Sequence, residues 1–183
     1  RVLLMFQHLG MFVVPAIAFA VLISTRWKQY LGFLPAKPVF IIASIGIMLV
    51  ALPSINALAW LNLQLKLPEF LSGLEKMLGG MEDNAAELTR AITRTENLPL
   101  FLFNIFVVAL LPAMGEEMIF RGALMPIIIK WTGKKHTGVW VSAALFSAMH
   151  MQFYGFIPRM MLGALLGYLF LWSRSLWAPI AAH

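Results

Sequence analysis

Long stretches without a charged side chain constrain this chain more than any other feature. Residues 2–25 and 39–65 contain no Asp, Glu, Lys or Arg. About 20 mostly apolar residues in helical form cross the hydrocarbon core of a bilayer, because that core is about 30 Å thick and a helix rises about 1.5 Å per residue. Both stretches are therefore predicted to be membrane-spanning helices.

The composition also indicates a membrane protein. Of the 183 residues, 61% are hydrophobic and 12% are charged, whereas a soluble domain carries about 25% charged residues. These fractions exclude a soluble enzyme, a disordered tail and a nucleic-acid-binding arm. The formal net charge of +6 is therefore assigned to loops that flank a membrane, and no nucleic-acid partner is expected. Because the chain has no cysteine, disulfides and thiolate chemistry are excluded as well.

Further apolar runs predict the rest of a helix bundle. Four runs without Asp, Glu, Lys or Arg follow the first two: residues 98–115, 137–158 (interrupted by His150), 160–173 and 175–182. Residues 123–129 are too short to span and are expected to continue the third helix or to re-enter the membrane. Arg159 is expected to extend towards the membrane surface. The predicted fold class is all-α, a polytopic transmembrane helix bundle of about six or more spans. It forms one membrane domain over residues 1–183, with a C-terminal part that is expected to be truncated at His183.

The charges of the connections predict an orientation. Basic residues without acidic ones follow the first run, precede the fourth and follow the fifth: Arg26, Lys28, Lys37, Lys130, Lys134, Lys135 and Arg174. These connections alternate so that they share one side, which the positive-inside rule makes cytoplasmic. Residues 66–97 carry six acidic and four basic residues and are predicted to form an acidic extramembrane loop on the opposite side. Apolar residues recur at helical spacing within this loop, so part of it is expected to be an amphipathic helix on the membrane surface.

Two carboxylates and a guanidinium follow the third apolar run. Placing an ionised side chain at the centre of a membrane helix costs about 2.5–3.5 kcal/mol, so such charges indicate a functional site. Glu117 and Arg121 are four residues apart and are expected to pair on one helix face. Glu116 points about 100° away and stays the unpaired carboxylate, which suits a general base. The alternative is that all three form a buried network that fixes the helix register.

Histidines in two later runs are candidate partners of that carboxylate. His150 lies one helical turn after Phe146 in the fourth run, and His183 lies in the sixth. A lone histidine on an apolar helix is usually a packed core residue. Beside an unneutralised glutamate, however, a neutral imidazole can bind zinc, accept a proton or orient a water molecule. His8 and His136 are expected to be structural or solvated.

The order and spacing of these residues resemble a known family. The pattern Glu116-Glu117-x-x-x-Arg121, then Phe146-x-x-x-His150, then a histidine in a later membrane helix resembles the CAAX prenyl protease and bacteriocin-processing family, also called the Abi family. These proteins are multi-helix intramembrane endopeptidases. The first two family motifs match in full, and His183 would open the third. The resemblance covers residues 98–183, which it implies to be the catalytic core.

The resemblance also implies roles for the motif residues. Glu116 corresponds to the catalytic carboxylate, Glu117 and Arg121 take supporting positions, and His150 positions or deprotonates water. His183 becomes a further polar ligand. The implied substrate is a peptide or protein, either prenylated at its C-terminus or a leader peptide. The implied location is the inner membrane of a prokaryote, where the chain would contact lipids.

Two mechanisms are compatible with these residues. In a metalloprotease, His150, His183 and Glu116 would hold Zn²⁺, which lowers the pKa of its bound water to about 7. Without a metal, Glu116 and His150 would activate water directly while His183 stabilises the oxyanion. The metal-free mechanism is slightly favoured, since the ligand set lacks a zinc-type HExxH motif.

Two other functions stay open at this point. The chain is either an enzyme or a catalytically idle membrane scaffold, and a scaffold would bind a membrane-protein partner through residues 66–97. A proton-coupled transporter is less favoured, because no pair of interrupted helices with inverted symmetry is apparent.

Overall fold

The computed structural model describes residues 2–64, 68–95 and 97–183. Within these ranges the regular secondary structure is helical, without a strand, which confirms the all-α fold class. The helices are α1 (Val2–Ile23), α2 (Trp27–Leu31), α3 (Pro38–Asn62), α4 (Ser72–Thr93), α5 (Leu98–Thr132), α6 (Lys135–Met149), α7 (Phe156–Ser173) and α8 (Trp177–Ala182). Lys66 and Glu96, which the sequence assigns to the acidic loop, lie outside the described residues.

Helices α1, α3, α5 and α7 are long and apolar enough to cross a membrane. Large apolar side chains cover their outer surfaces: Leu22 on α1 is 87% exposed and Val50 on α3 is 79% exposed. Such extended apolar surface belongs against lipid rather than water. The predicted polytopic helix bundle is confirmed. The number of spans is roughly consistent with the prediction, since the shorter helices α6 and α8 occupy the two remaining apolar runs.

The fourth apolar run is helical over only part of its length. Helix α6 ends at Met149, one residue before His150, so only the first part of the run 137–158 is this helix. The chain then turns, and Met151 adopts a left-handed backbone with φ of 53°. The amide of Asn62, at the end of α3, donates hydrogen bonds to the carbonyl oxygens of Phe153, at 3.2 Å, and Tyr154. This side chain satisfies backbone groups that a longer helix would have paired internally.

Three widened turns in the long helices lie just before a proline. These turns are π-helical stretches that each end two residues before the proline. They are Leu9–Val13 before Pro15, Ile105–Leu110 before Pro112 and Met118–Leu124 before Pro126. Proline has no backbone N–H and clashes with the carbonyl group four residues earlier. Widened turns relieve this clash without breaking the helix. Helix α5 therefore continues through residues 123–129, as one of the two sequence alternatives predicted.

Small residues allow the central helices to approach closely. A Cβ atom on Gly163 of α7 would lie 3.3 Å from the Cα atom of Ala143 on α6, and one on Gly167 would lie 3.1 Å from Val139. On α5, a Cβ atom on Gly122 would lie 2.8 Å from the backbone oxygen of Leu31. Such contacts bring α7 close to α6 and α5 close to α2.

The acidic insert contains the predicted helix, α4. Its exposed apolar side chains Leu74, Met77, Met81 and Leu88 lie at helical spacing on an otherwise polar helix. The carboxylate of Glu82 accepts hydrogen bonds from the backbone N–H groups of Tyr154 and Gly155, at 3.4 and 3.2 Å. Helix α4 is thereby attached to the turn that follows α6, close to His150.

Candidate active site

An ion pair buried in α5 forms the base of the site. Arg121 Nη1 lies 2.8 Å from Glu117 Oε1, and the two side chains are 1% and 0% exposed. The second guanidinium nitrogen, Nη2, donates to the carbonyl oxygen of Gly163 at 2.8 Å. The guanidinium also lies over the ring of Phe146, 4.8 Å from its centroid. The pairing that the four-residue spacing predicts is present, and it connects α5 to α6 and α7.

Glu116 faces two histidines from other parts of the chain. Its Oε1 atom lies 3.9 Å from Nε2 of His150, which immediately follows α6, and its Oε2 atom lies 3.7 Å from Nε2 of His183, which follows α8. The Glu116 side chain is 7% exposed, whereas those of His150 and His183 are 29% and 20% exposed. The fold therefore brings together the predicted site residues on one side of α5.

Hydrogen bonds on the far side of each imidazole determine which ring nitrogen faces Glu116 as an acceptor. Nδ1 of His150 lies 2.8 Å from the backbone oxygen of Phe146, and Nδ1 of His183 lies 3.1 Å from Oε1 of Glu117. Both oxygens are acceptors, so each Nδ1 donates a proton. In the neutral rings Nε2 then carries a lone pair directed towards the carboxylate of Glu116.

This arrangement suits a water molecule as the bridging group. Two acceptors that face each other at 3.7–3.9 Å cannot bond directly. A water molecule can donate one hydrogen to Glu116 and the other to an imidazole nitrogen, which leaves its oxygen lone pairs free for nucleophilic attack. The geometry therefore matches that of a general-base site.

The same residues do not fit the predicted alternative of a zinc site. Zinc sites use three or four protein donors, each about 2.0–2.3 Å from the metal ion. Among residues 2–64, 68–95 and 97–183, no three His, Cys, Asp or Glu side chains are arranged to hold a metal ion. No chemical step is therefore assigned to a metal at Glu116, His150 and His183.

Phe146 explains the spacing of the second motif. Its ring lies 5.0 Å from the His150 ring and 6.1 Å from the His183 ring, centroid to centroid, in edge-to-face geometry. Its backbone oxygen accepts the hydrogen bond from His150, one helical turn later. The ring also packs on Phe120 of α5, at 5.3 Å. Phe146 therefore holds both imidazoles in place and shields the ion pair beneath them.

Two further basic side chains, Arg159 and His8, lie near the site. Arg159, expected to reach the membrane surface, turns its guanidinium onto the side-chain oxygen of Gln152, and its charge interacts with Glu116 and His150. His8 of α1, expected to be structural or solvated, is half-buried and interacts electrostatically with His150. The sequence offers one signal for the position of Arg159 near the site: it is a basic residue at the start of a membrane helix, and no acidic residue is adjacent to it in the sequence. His136 bonds the hydroxyl of Tyr168 at an exposed position, as a solvated residue would.

The part of the chain that holds this cluster also carries the family resemblance. Residues 98–183 match the family described as Type II CAAX prenyl endopeptidase Rce1-like. The predicted resemblance is confirmed over this segment. The Rce1-like segment contains Glu116, Glu117, Arg121, His150 and His183, whereas α1, α3 and α4 lie outside it.

A bacterial relative extends the comparison. Over 100 residues the chain is 32% identical to the uncharacterized protein YpbD of Bacillus subtilis (strain 168). The aligned region covers 52% of this chain and 46% of that protein, so the chain spans about half the length of this relative. No solved structure is significantly similar to the chain.

Proposed function

We propose that this membrane protein is an intramembrane endopeptidase that hydrolyses peptide bonds with a water molecule activated by Glu116 and His150. The observation that carries the proposal is the position of Glu116, whose carboxylate oxygens face Nε2 of His150 at 3.9 Å and Nε2 of His183 at 3.7 Å. The Rce1-like segment over residues 98–183 supports the same class of reaction.

The reaction follows from the hydrogen-bonding capacity of these groups. Glu116 takes a proton from a water molecule that Nε2 of His150 also orients, and the water oxygen bonds to the carbonyl carbon of the scissile peptide. His183 in its imidazolium form, with both ring nitrogens protonated, would donate from Nε2 to the developing oxyanion, while Glu117 accepts from Nδ1 and holds the ring in place. The C–N bond then breaks as Glu116 returns the proton to the leaving amine, so that protons and electrons balance.

Peptides with a prenylated C-terminus are the proposed substrates, and leader peptides are the second class. The family description supports the first class. The protein would work as an integral multi-pass protein among membrane lipids, in the inner membrane of a bacterium. Helix α4 and the adjoining residues of the acidic loop would face outward and are available for contact with a membrane-protein partner.

Single substitutions at the site test the proposal. The full chain, reconstituted in lipid vesicles, is assayed with a fluorogenic farnesylated peptide and with a leader-type peptide. Glu116→Gln and His150→Ala are each expected to lower kcat by at least about 100-fold, since a general base contributes about 10²–10⁴-fold. Glu87→Gln, an equal charge change on the exposed surface of α4, is the matched control and is expected to keep full activity.

The alternatives give different results in the same assay. A folded Glu116→Gln protein that still cleaves at the wild-type rate would reject the mechanism. Absence of cleavage by the wild type, together with stable co-purification of another membrane protein, would favour the scaffold. Thermal unfolding in detergent verifies that each variant is folded.

A further inference from the structure

Arg159 is a partly buried cation that forms no ion pair with any acidic side chain in the described part of the chain. It lies in the first turn of α7, where Nη2 donates to the side-chain oxygen of Gln152. Nη1 is buried and has no hydrogen-bond partner among the residues that the structure describes. A buried charge is normally paired, because isolation from water is costly. Arg121 shows the usual arrangement, with Glu117 at 2.8 Å.

The carboxylates nearest to Arg159 are engaged elsewhere. Glu82 accepts from the backbone N–H groups of Tyr154 and Gly155, and Glu116 faces the two catalytic-site histidines. Both carboxylates interact with the charge of Arg159 at longer range. Within the described part of the chain, however, neither is close enough to form an ion pair with it. The guanidinium is thus held by a neutral amide, while Nη1 has no hydrogen-bond partner within the described ranges.

The hydrogen-bond partner of Arg159 lines two cavities next to the site. That partner, Gln152, is two residues after His150, and the cavities have volumes of about 300 and 490 Å³. The first cavity is apolar and includes Ser147, Ala148 and Phe156; the second includes Glu82 and Tyr154. Apolar side chains of a peptide fit the first cavity, and the Arg159 guanidinium bonds Gln152 at its edge.

We propose, on the basis of the proposed function, that Arg159 is a specificity-determining residue that binds a carboxylate of the peptide substrate. A guanidinium binds a carboxylate through parallel N–H···O bonds. The hydrogen bond to Gln152 fixes the orientation of the Arg159 guanidinium plane before a carboxylate binds. The C-terminal carboxylate and an acidic side chain offer the same chemistry. Binding either one beside His150 fixes which peptide bond reaches Glu116.

Three versions of one farnesylated fluorogenic peptide test this inference with the full chain in lipid vesicles. They carry a free C-terminal carboxylate, a C-terminal amide, or the amide with one added Asp side chain. We expect the wild type to show a KM about 10- to 100-fold higher for the amide than for the acid, the range for a hydrogen bond to a charged group. Rescue of the amide by Asp would identify a side-chain carboxylate as the natural ligand.

Variants of Arg159 separate anion binding from a structural role. Arg159→Gln is expected to raise KM for the acid to the level of the amide, with kcat little changed, while Arg159→Lys keeps part of the preference. Arg90→Gln, on the exposed face of α4, is the matched control and keeps the wild-type ratio. A wild type that treats acid and amide alike would overturn the inference. So would an Arg159→Gln protein that loses both peptides by the same factor.

A binding measurement keeps this inference independent of hydrolysis. Equilibrium binding of the same peptides to the Glu116→Gln protein should show the acid preferred over the amide, and Arg159→Gln in that background should remove the preference. If the wild type cleaves none of the peptides, the proposed function fails while the carboxylate preference in binding still stands or falls by itself. Equal binding of acid and amide, or no binding of either, counts against the role of Arg159.

Discussion

Nδ1 of His183 lies 3.1 Å from Oε1 of Glu117, the same oxygen that pairs with Arg121 at 2.8 Å. One carboxylate oxygen therefore serves both a buried guanidinium and an imidazole. The second nitrogen of that imidazole faces Glu116. The two adjacent glutamates thus have different roles, since Glu117 maintains the geometry while Glu116 is left available for chemistry.

Replacing Arg121 is expected to destabilise the protein strongly. Arg121→Met leaves Glu117 buried without its counter-ion, and loss of one partner of a buried pair costs about 3–5 kcal/mol. The free energy of unfolding, measured in detergent, should fall by about that amount. The double variant Glu117→Leu/Arg121→Met should recover much of the loss, because no unpaired charge remains. Arg90→Met, at an exposed position on α4, serves as the control.

The glycine at the crossing of α5 and α2 should not tolerate a methyl group. In Gly122→Ala the new Cβ atom meets the backbone oxygen of Leu31 at 2.8 Å, so a helix must shift. Overpacking of this kind costs about 1–3 kcal/mol. Gly46→Ala on α3 is the matched control, since its Cβ atom has no neighbour within 4 Å. Its stability should be unchanged or rise by up to about 1 kcal/mol. Equal effects of the two substitutions on thermal unfolding would contradict the close approach.

Asn62 should control the order of the turn after His150. In Asn62→Leu the carbonyl groups of Phe153 and Tyr154 lose their donor, which is expected to cost about 1–3 kcal/mol. Hydrogen exchange should become faster in residues 150–155 and stay unchanged in the middle of α7. Asn84→Leu on the exposed side of α4 provides the comparison. Unchanged exchange in the turn would show that the Asn62 amide is not required there.

Removal of His183 should reduce catalysis more than stability. His183→Ala leaves the pair of Glu117 and Arg121 intact but removes a donor from the oxyanion, a change worth about 10²–10³-fold in kcat for comparable donors. KM and the unfolding temperature should change little. His136→Ala, whose ring bonds Tyr168 at an exposed position, should retain wild-type kcat. An equally low kcat in both variants would point to a general loss of structure.

Local features of the fold followed from sequence spacing because the physics behind them is local. Residues four apart on a helix are neighbours, so the pair of Glu117 and Arg121 could be predicted before any tertiary contact was known. The close approach at Gly163 and Gly167 is likewise a property of one helix face. The meeting of Glu116 with His150 was inferred from the rarity of polar groups in an apolar bundle.

Features that depend on tertiary contacts did not follow from the sequence. The turn after α6, which ends at Met149, is bonded by the amide of Asn62, far away in the chain. The place of Arg159 depends on that same turn, because the guanidinium bonds Gln152 within it. Hydropathy alone predicted neither the end of α6 at Met149 nor the place of Arg159 beside the turn.

The widened turn Met118–Leu124 lies where an insertion or deletion of one residue would disrupt the site. Each residue of a helix adds about 100° of rotation, so removing one residue here would turn the preceding part of α5 by that angle relative to the following part. Glu116 would then face away from His150 and His183 even with every side chain of the cluster unchanged. Substitutions within this stretch alter packing, whereas an insertion or deletion of a single residue would separate the carboxylate from both imidazoles.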